Sequence, residues 1–326
     1  MSGSSQLRTL HFATVDVFTT KRFTGNPLAI IHLPDSSLLS QAEKQAIAGE
    51  FNLSETVFLH VGDSTNGRRL DIFTTTTELN FAGHPVIGTL SFIGQHLKDG
   101  TESKLPLKLF INAGTINASF DRSTGVAEAE VPHNFHIHKA NIALPDVWDW
   151  QPGMKKWSEY TADDGVDHEH EMDYKLFPVV SVVNGMTFRL IRLPKIEGSL
   201  DALEPKMPSI SAELDEGWSP SYVGNYFYVI LPQVEAGVTK IRGRMIDPWI
   251  GEDPATGSAA SALSSYLALR AGGRGMTSIF DIDQGVEMGR CSKIRVQVTL
   301  NETGKAVKQV FLSGTAVIVS QGTIQV

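Results

Sequence analysis

The second half of the chain carries one distinctive stretch, Glu252-Asp253-Pro254-Ala255-Thr256-Gly257-Ser258-Ala259. An alanine- and leucine-rich run follows it and ends at Arg270-Ala271-Gly272-Gly273. A turn of small residues before such a run, and glycines after it, are typical of the two ends of an α-helix. The sequence therefore predicts one central helix in this half, beginning close to Gly257.

A second helix start of the same kind lies in the first half of the chain. Phe81-Ala82-Gly83-His84-Pro85 precedes a helical stretch, and Pro85 suits the first helical turn, where its missing N–H costs little. Aligning the two helices with an offset of 174 residues pairs Gly83 with Gly257 and His84 with Ser258. Chance matches between glycine- and alanine-rich helices are the alternative, but the pattern favours a duplicated architecture.

A third motif places a carboxylate beside a buried strand. Ser40-Gln41-Ala42-Glu43 has the form of a capping box and predicts a helix over about residues 40–50. Asn52-Leu53-Ser54-Glu55-Thr56 ends that helix and leads into the apolar run Val57-Phe58-Leu59. Glu55 therefore lies at a loop-to-strand junction without an obvious partner nearby in sequence. A surface carboxylate is the commoner interpretation of such a residue.

Strand-like runs fill much of the remaining chain. They include Val15–Phe18, Leu28–Ile31, Arg69–Thr74, Val179–Val183, Thr187–Leu193, Tyr226–Leu231 and Ile294–Val298. Each half is therefore expected to combine many strands with one central helix, which is an α+β organisation.

Composition and charge limit the class of protein. With 326 residues, of which 41% are hydrophobic and 20% charged, the chain can form about two globular domains. Its net charge of −8 disfavours nucleic acids and anionic membrane surfaces as partners. The longest uninterrupted apolar run, Tyr226–Leu231, is far shorter than the ~18 residues that suggest a membrane span. We expect no membrane partner.

Cysteine content and the first residues bear on compartment and chemistry. Cys291 is the only cysteine, which excludes an internal disulfide and any reaction that needs two thiols in one chain. The N-terminal segment lacks the basic, apolar and small-residue regions of a secretory signal. A cytoplasmic location is the resulting expectation.

The two helix starts are candidate anion sites. The first N–H groups of a helix have no partner within the helix, so its N-terminus attracts carboxylates. If both starts point into one cleft, Gly83 and Gly257 can help to hold a small anionic substrate without basic side chains. Structural roles are the alternatives for each residue. The glycines can serve only tight helix packing, and Asp253 can be an N-cap. His84 can bond to nearby backbone, and the hydroxyl of Ser258 can be structural.

Residues 146–175 form a polar, mostly acidic stretch with three tryptophans and no clear period. A surface insertion near the boundary between the halves is the favoured interpretation. His168 and His170 flank Glu169, but alternate residues without a distant partner are weak support for a metal site. We expect a solvated loop here and no bound metal.

The motifs carry a family resemblance. Asn52–Thr56, Phe81–Pro85 and Glu252–Ala259 resemble the three signature segments of the phenazine-biosynthesis PhzF-like family. Val15-Asp16-Val17-Phe18 with Phe23-Thr24-Gly25-Asn26-Pro27 is similar to its N-terminal segment. Order and spacing agree over nearly the whole chain, and residues 146–175 are the least family-like part.

The resemblance implies a diaminopimelate-epimerase-like α+β fold. In that fold two similar lobes each form a curved mixed sheet or barrel around a central helix, and the site lies between the lobes. We expect the lobes at residues 8–133 and 134–326, with the C-terminal end able to return to the first lobe. The resemblance also implies a homodimer.

Roles for individual residues follow from the same resemblance. Glu55 matches the family's acid/base residue, whereas His84, Asp253 and Ser258 match residues that line the same pocket. Gly83, Thr256 and Gly257 are expected to bind substrate at the helix starts. No metal and no organic cofactor are implied, and the expected partner is a small anionic substrate.

The expected chemistry is a proton transfer by one base. Related epimerases and proline racemases use one cysteine at each helix start, and those places hold Ala82 and Thr256 here. We therefore predict a cofactor-independent isomerase in which Glu55 moves a proton on a small carboxylate-bearing, amino-acid-like or cyclic metabolite. The alternatives are a non-catalytic binding or interaction protein that retains the fold, and another secondary-metabolite transformation in the same pocket.

Overall fold

The computed structural model describes residues 8–34, 39–61, 67–97, 102–157, 176–195, 197–233, 235–248 and 251–326. The chain separates into two compact units, Met1–Glu130 together with Ser313–Val326, and Val131–Leu312. We call them the N-terminal unit and the C-terminal unit.

The N-terminal unit is a mixed sheet with two helices. Its elements are β1 (Thr9–Val17), β2 (Asn26–Leu33), α1 (Gln41–Phe51), β3 (Thr56–His60), β4 (Arg68–Phe73), β5 (Glu78–Leu79), α2 (Gly83–His96), β6 (Lys104–Ile111), β7 (Gly114–Asp121), β8 (Val126–Glu130) and β18 (Ala316–Gln325). Neighbouring strands run in the order β18-β1-β2-β3-β4-β6-β7-β8, and β5 pairs with β4. The pairs β2–β3 and β4–β6 are parallel and the others antiparallel.

The C-terminal unit is also a mixed sheet. Its elements are β9 (His136–Ala143), α3 (Leu144–Trp150), a 3-10 helix (Pro152–Trp157), β10 (Leu176–Val183), β11 (Met186–Arg192), β12 (Tyr222–Ile230), β13 (Val238–Asp247), β14 (Gly251–Asp253), α4 (Gly257–Ala271), β15 (Thr277–Gln284) and β16 (Ser292–Leu300). Strand β17 (Val307–Gly314) leads from this unit to β18. The neighbours run β9-β10-β11-β12-β13-β15-β16, with β14 beside β13 and with β11–β12 and β13–β15 parallel.

The two units repeat one topology. In each, two antiparallel strands are followed by a third that is parallel to the second and antiparallel to the fourth. The fourth strand then pairs with a short strand before the central helix and, in parallel, with the strand after it. The duplicated architecture and the α+β fold that the sequence predicts are thereby confirmed.

Small residues allow the central helices to lie inside their sheets. Every residue of α2 from Gly83 to Gly94 is buried, and α4 is buried over most of its length. A Cβ atom added at Gly88 would lie 2.7 Å from the side chains of Val17 and Leu28, so only glycine lets α2 approach those strands. None of the described helices is long and apolar enough to cross a membrane.

The helix α1 delivers the chain to Glu55 as the sequence predicts. Ser40 is its N-cap, and the Glu43 carboxylate accepts the Ser40 backbone N–H at 2.7 Å, which completes the capping box. Asn52 closes the helix in the left-handed conformation, with φ of 49°. The chain then enters β3 directly after Glu55, which confirms the predicted loop-to-strand junction.

Residues 144–157 differ from the predicted surface insertion. Val147 and Met154 are buried in a hydrophobic cluster of the C-terminal unit together with Phe177, and two tryptophans pack against that cluster, Trp148 and Trp150. The apolar side chains of this short helical segment therefore cover part of the core, which the polar residues around them did not indicate. The remainder, residues 158–175, lies outside the described residues.

Candidate active site

Glu55 carries a strongly perturbed carboxyl group at the predicted site. Its side chain is only 17% exposed. Burial raises the pKa of this carboxyl to about 7, and the Ser54 hydroxyl opposes the rise. A group with a pKa near neutrality can both accept and return a proton at physiological pH, which is the requirement for an acid/base catalyst.

His84 lies beside Glu55 in the N-terminal unit. It is the second residue of α2, and its Nε2 atom lies 3.6 Å from the Oε2 atom of Glu55. The side-chain amide of Asn26 donates to His84 Nδ1 at 3.4 Å. Since Nδ1 accepts this hydrogen bond, the neutral imidazole carries its proton on Nε2, the nitrogen nearest Glu55.

Asn26 is positioned by a constrained loop between β1 and β2. Phe18 and Phe23 have φ values of 62° and 69°, which non-glycine residues seldom adopt. The Asp16 carboxylate accepts the Phe23 backbone N–H at 2.5 Å and fixes the loop from inside. Such backbone strain persists where the surrounding structure over-determines the conformation, and here it sets the place at which Asn26 enters β2.

Both central helices begin without a side-chain cap. Ala82 and Thr256 are the N-caps of α2 and α4, and neither makes a side-chain capping hydrogen bond. The first residues of the helices are Gly83 and Gly257. Uncapped helix N-termini carry partial positive charge and N–H donors, which suit a negatively charged group.

A second group of predicted residues lies in the C-terminal unit. Asp253 ends β14, and its carboxylate accepts the Thr256 hydroxyl at 2.5 Å. Since α4 begins at Gly257, the N-cap alternative for Asp253 is wrong. Ser258 is buried in the first turn of α4.

Gln284 holds this second group together. Its amide N–H groups donate to the Asp253 carbonyl at 2.8 Å and to the Thr256 hydroxyl oxygen at 3.0 Å. Its amide oxygen accepts from the Thr256 backbone N–H and from the Tyr226 hydroxyl, at 3.2 and 3.1 Å. Burial, aided by the charge of Asp253, raises the pKa of Tyr226 well above its usual range, so the phenol stays a hydrogen-bond donor.

The structure thus forms two local groups from the predicted site residues. In the N-terminal unit it brings together Glu55, His84 and Gly83, and in the C-terminal unit Asp253, Thr256, Gly257 and Ser258. Their roles in catalysis stay predictions, as does the single anion pocket. The positioning contacts of Asn26 and Gln284 were not predicted. Asn26 lies in a family-like motif, whereas Gln284 lies in none.

One cluster among the described residues has the composition of a metal site. Ligand atoms of His136, His138 and Asp215 lie within 4.8 Å of one another. Both ring nitrogens of His138 already have partners, however, since Nδ1 accepts the Asp215 backbone N–H at 3.1 Å and Nε2 pairs with the Ser181 hydroxyl at 2.8 Å. We therefore interpret the cluster as a structural hydrogen-bond network. His168, Glu169 and His170 lie outside the described residues.

Comparison with known proteins places this chain in a family. The family model for phenazine biosynthesis-like protein, PhzC-PhzF, matches residues 15–322. The chain is 30% identical over 321 residues to trans-2,3-dihydro-3-hydroxyanthranilate isomerase of Pseudomonas chlororaphis, covering 96% of this chain and 99% of that protein. It is 29% identical to the uncharacterized isomerase mll1393 of Mesorhizobium japonicum, covering 98% and 99%.

A solved structure supports the fold. The phenazine biosynthesis protein of the PhzF family from Bacillus anthracis aligns with a TM-score of 0.68 at 19% identity, covering 98% of this chain and 100% of that one. The same duplicated α+β architecture therefore underlies both proteins. Since the family model and a 30%-identical relative both extend over nearly the whole chain, the protein belongs to the phenazine biosynthesis-like (PhzF) family of isomerases.

Proposed function

We propose that this protein is a cofactor-independent isomerase in which Glu55 moves a proton on a small carboxylate-bearing, cyclic or amino-acid-like metabolite. The observation that carries the proposal is the buried Glu55 carboxyl, whose pKa is raised to about 7 beside the imidazole of His84. The relatives from Mesorhizobium japonicum and Pseudomonas chlororaphis are named isomerases, which agrees with this chemistry.

The proposed reaction balances within the substrate. The Glu55 carboxylate removes a proton from a C–H bond, and the electron pair left behind shifts to form a new double bond. The resulting carboxylic acid then returns the proton to another carbon of the same molecule. Glu55 ends in the state in which it began, so the reaction needs no oxidant, reductant or co-substrate.

His84 is proposed to orient the substrate rather than to exchange the reacting proton. Its Nε2–H can donate to a substrate hydroxyl or amine that enters beside Glu55. The Asn26 amide at Nδ1 maintains the required tautomer. Each central helix start can donate backbone N–H groups to a substrate carboxylate.

Asp253, Thr256, Gly257 and Ser258 are assigned to substrate binding in this proposal. The Asp253 carboxylate can accept a hydrogen bond from a substrate amine or hydroxyl, and the first turn of α4 offers N–H donors at Gly257 and Ser258. The hydrogen bonds of Gln284 hold the backbone of Asp253 and Thr256 in place before substrate arrives.

The first compound to test is trans-2,3-dihydro-3-hydroxyanthranilate, for which the Pseudomonas chlororaphis relative is named. The purified protein is incubated with it in D₂O, and conversion and deuterium at carbon are followed by NMR. We expect both with the wild type and neither with Glu55→Gln. Binding without conversion or exchange, for this compound and for related cyclic amino acids, would favour the non-catalytic alternative and contradict the proposal.

We also propose a cytoplasmic homodimer. The single cysteine, Cys291, is free and offers no internal disulfide of the kind that oxidising compartments favour. Two-fold dimers are the commonest soluble oligomers. Light scattering at micromolar concentration should give twice the chain mass, and a monomeric mass would contradict the dimer. Cell fractionation of the tagged protein checks the compartment.

A further inference from the structure

A basic cavity lies in the N-terminal unit near the C-terminal end of α2. It has a volume of about 550 Å³ and is lined by residues of β1, β2, β4, α2 and β18. Its basic lining residues are His11, His32, Arg68 and His96. None of the described lining residues is acidic. Positive and potentially positive groups from four different elements thus line one open cavity.

Arg68 lacks a carboxylate partner within the part of the chain that the structure describes. Most other arginines of this unit are engaged, as Arg8 is by Glu43 and Arg69 by Asp71. A guanidinium presents five N–H donors in a fork that matches carboxylate and phosphate oxygens. Its charge at this cavity is therefore available for an anion.

His32 gives the cavity a buried donor. Its Nε2 atom is buried and has no hydrogen-bond partner among the described residues. Burial, and then the charges of His96, His11 and Arg68, lower the pKa of His32. A buried polar atom without a partner carries a desolvation cost, and in the tautomer with its proton on Nε2 this atom is an unused donor beside the cavity.

His96 adds a donor that depends on its protonation. Its Nδ1–H donates to the Phe92 carbonyl at 2.8 Å, so in the neutral ring Nε2 has no proton to offer. His96 lies in the last turn of α2, beside the cavity. Protonation therefore turns Nε2 of His96 into a second charged donor toward the cavity.

We propose that this cavity is a binding site for a phosphate-type oxyanion, separate from the site at Glu55. The donors reach it from several directions, with Arg68 on β4, His32 on β2, His11 on β1 and His96 on α2, which suits the four oxygens of a tetrahedral anion. The side chains of Gln321 and Thr323 add neutral donors. Inorganic phosphate or the phosphate of a small metabolite has this chemistry.

Two observations distinguish this site from other interpretations. No group of three metal-ligating side chains is found at this cavity among the described residues, unlike at His136, His138 and Asp215, and a metal ion would not tolerate Arg68 beside it. The cavity is also remote from Glu55, since His84 and His96 are separated by about 18 Å along α2 at 1.5 Å per residue.

Inorganic phosphate is the probe for the test. The melting temperature of the wild type is measured against phosphate concentration at constant ionic strength, at about pH 6 and about pH 8. We expect phosphate to raise the melting temperature of the wild type at both pH values, because an anion that binds the folded state stabilises it. The Arg68→Gln variant should weaken phosphate binding about ten-fold or more, since it removes a charge-assisted contact.

Three further proteins make the result specific. Lys206→Gln removes an exposed positive charge of the C-terminal unit and should bind phosphate like the wild type, and Glu55→Gln should do the same. His11→Gln changes an exposed residue and should weaken binding without loss of fold, as judged by circular dichroism. Unchanged phosphate binding in Arg68→Gln and His11→Gln would overturn the site. Equal binding of acetate would overturn its assignment to a tetrahedral anion.

Discussion

The Nε2 atom of His84 lies 3.6 Å from the Oε2 atom of Glu55, beyond the length of a strong charge-assisted hydrogen bond. This separation matters, because a close imidazolium partner would stabilise the carboxylate and lower its pKa. Burial instead remains the dominant influence and keeps the pKa of Glu55 at about 7. The two residues are thus near enough to contact one substrate and far enough apart to preserve a base that is half protonated at neutral pH.

Replacing Glu55 tests the assignment of the base. Glu55→Gln keeps the shape of the side chain but removes the group that carries the proton, so we expect kcat to fall by about 10²-fold or more. At about pH 5, where burial keeps the folded-state carboxyl protonated, the melting temperature should change little. Glu50→Gln, an exposed residue at the end of α1, is the matched control and should retain full activity. A kcat close to that of the wild type for Glu55→Gln would refute the role.

The raised pKa of Glu55 predicts a pH-dependent loss of stability. The carboxyl titrates near pH 4.5 when unfolded and at about 7 when folded, so the folded state binds more protons between these values. The contribution of Glu55 to the free energy of unfolding should therefore be greatest below about pH 4.5. It should fall by an amount on the order of 2–3 kcal/mol as the pH rises to 7. Urea unfolding at about pH 5 and pH 8 measures the change, and the difference between wild type and Glu55→Gln isolates it. An identical difference at both pH values would show that Glu55 titrates normally.

The same pKa predicts the pH profile of turnover. Because the free enzyme must hold Glu55 as a carboxylate, kcat/KM should rise with pH and level off with an apparent pKa near 7. A profile that is flat between about pH 5 and pH 8 would contradict a base with this pKa.

Asn26→Leu removes the hydrogen bond to His84 but leaves Glu55 in place, so it should reduce kcat without abolishing it.

The parts of the site that the sequence predicts are local ones. Glu55 follows a helix that a capping box starts and Asn52 ends, and the starts of α2 and α4 are encoded within a few residues of each glycine. Each of these features depends on backbone geometry over one or two turns. Their positions can therefore be inferred without knowing the rest of the fold.

The contacts that position the site depend on strand register, which the sequence does not display. Asn26 reaches His84 across 58 residues, and Gln284 reaches Thr256 across 28. Strand β13 illustrates the difficulty, because Lys240 and Arg242 interrupt its apolar residues and are balanced by acidic partners far along the chain. Pairing of this kind is a property of the assembled sheet. Strand β13 and the contacts of Asn26 and Gln284 were therefore not predicted from the sequence.

A buried ion cluster in the N-terminal unit should contribute strongly to stability. The Asp71 carboxylate accepts hydrogen bonds from Lys44 at 2.6 Å, His60 at 2.7 Å and Arg69 at 2.9 Å. Burial alone would raise the pKa of Asp71, but the contacts with His60 and Lys44 outweigh it and hold the pKa well below its usual range. Three side-chain donors thus surround the Asp71 carboxylate.

Removing the Asp71 carboxylate should cost more stability than removing the Lys44 ammonium. Asp71→Leu leaves Lys44 buried without its counter-ion and should lower the free energy of unfolding by about 3–5 kcal/mol. Lys44→Met leaves Asp71 with two partners and should cost less than half of that. Lys104→Met, from the exposed pair with Glu128, should cost less than about 1 kcal/mol. Urea unfolding measures all three, and equal losses for Asp71→Leu and Lys104→Met would contradict the role of the cluster.

Turnover is predicted to need no metal ion or organic cofactor, because the proton leaves and returns through Glu55 alone. Protein purified and assayed with excess chelator should keep the kcat of untreated protein. A zinc-dependent enzyme treated in parallel shows that chelation was effective. Loss of activity that one divalent ion restores would contradict the prediction and direct attention to His136 and His138.

Gln284 should support both the fold and substrate binding. It is fully buried and makes hydrogen bonds with Asp253, Thr256 and Tyr226. Gln284→Leu keeps a similar volume but leaves these buried groups without that partner, at a cost of about 2–4 kcal/mol in the free energy of unfolding.

Because the start of α4 loosens in Gln284→Leu, KM should rise more than kcat falls if Asp253 and Ser258 bind the substrate. Gln297→Leu on the neighbouring strand β16 is the matched control, and its unfolding and kinetics should stay close to those of the wild type. A stable Gln284→Leu variant with unchanged KM would show that the hydrogen bonds of Gln284 support neither the fold nor substrate binding.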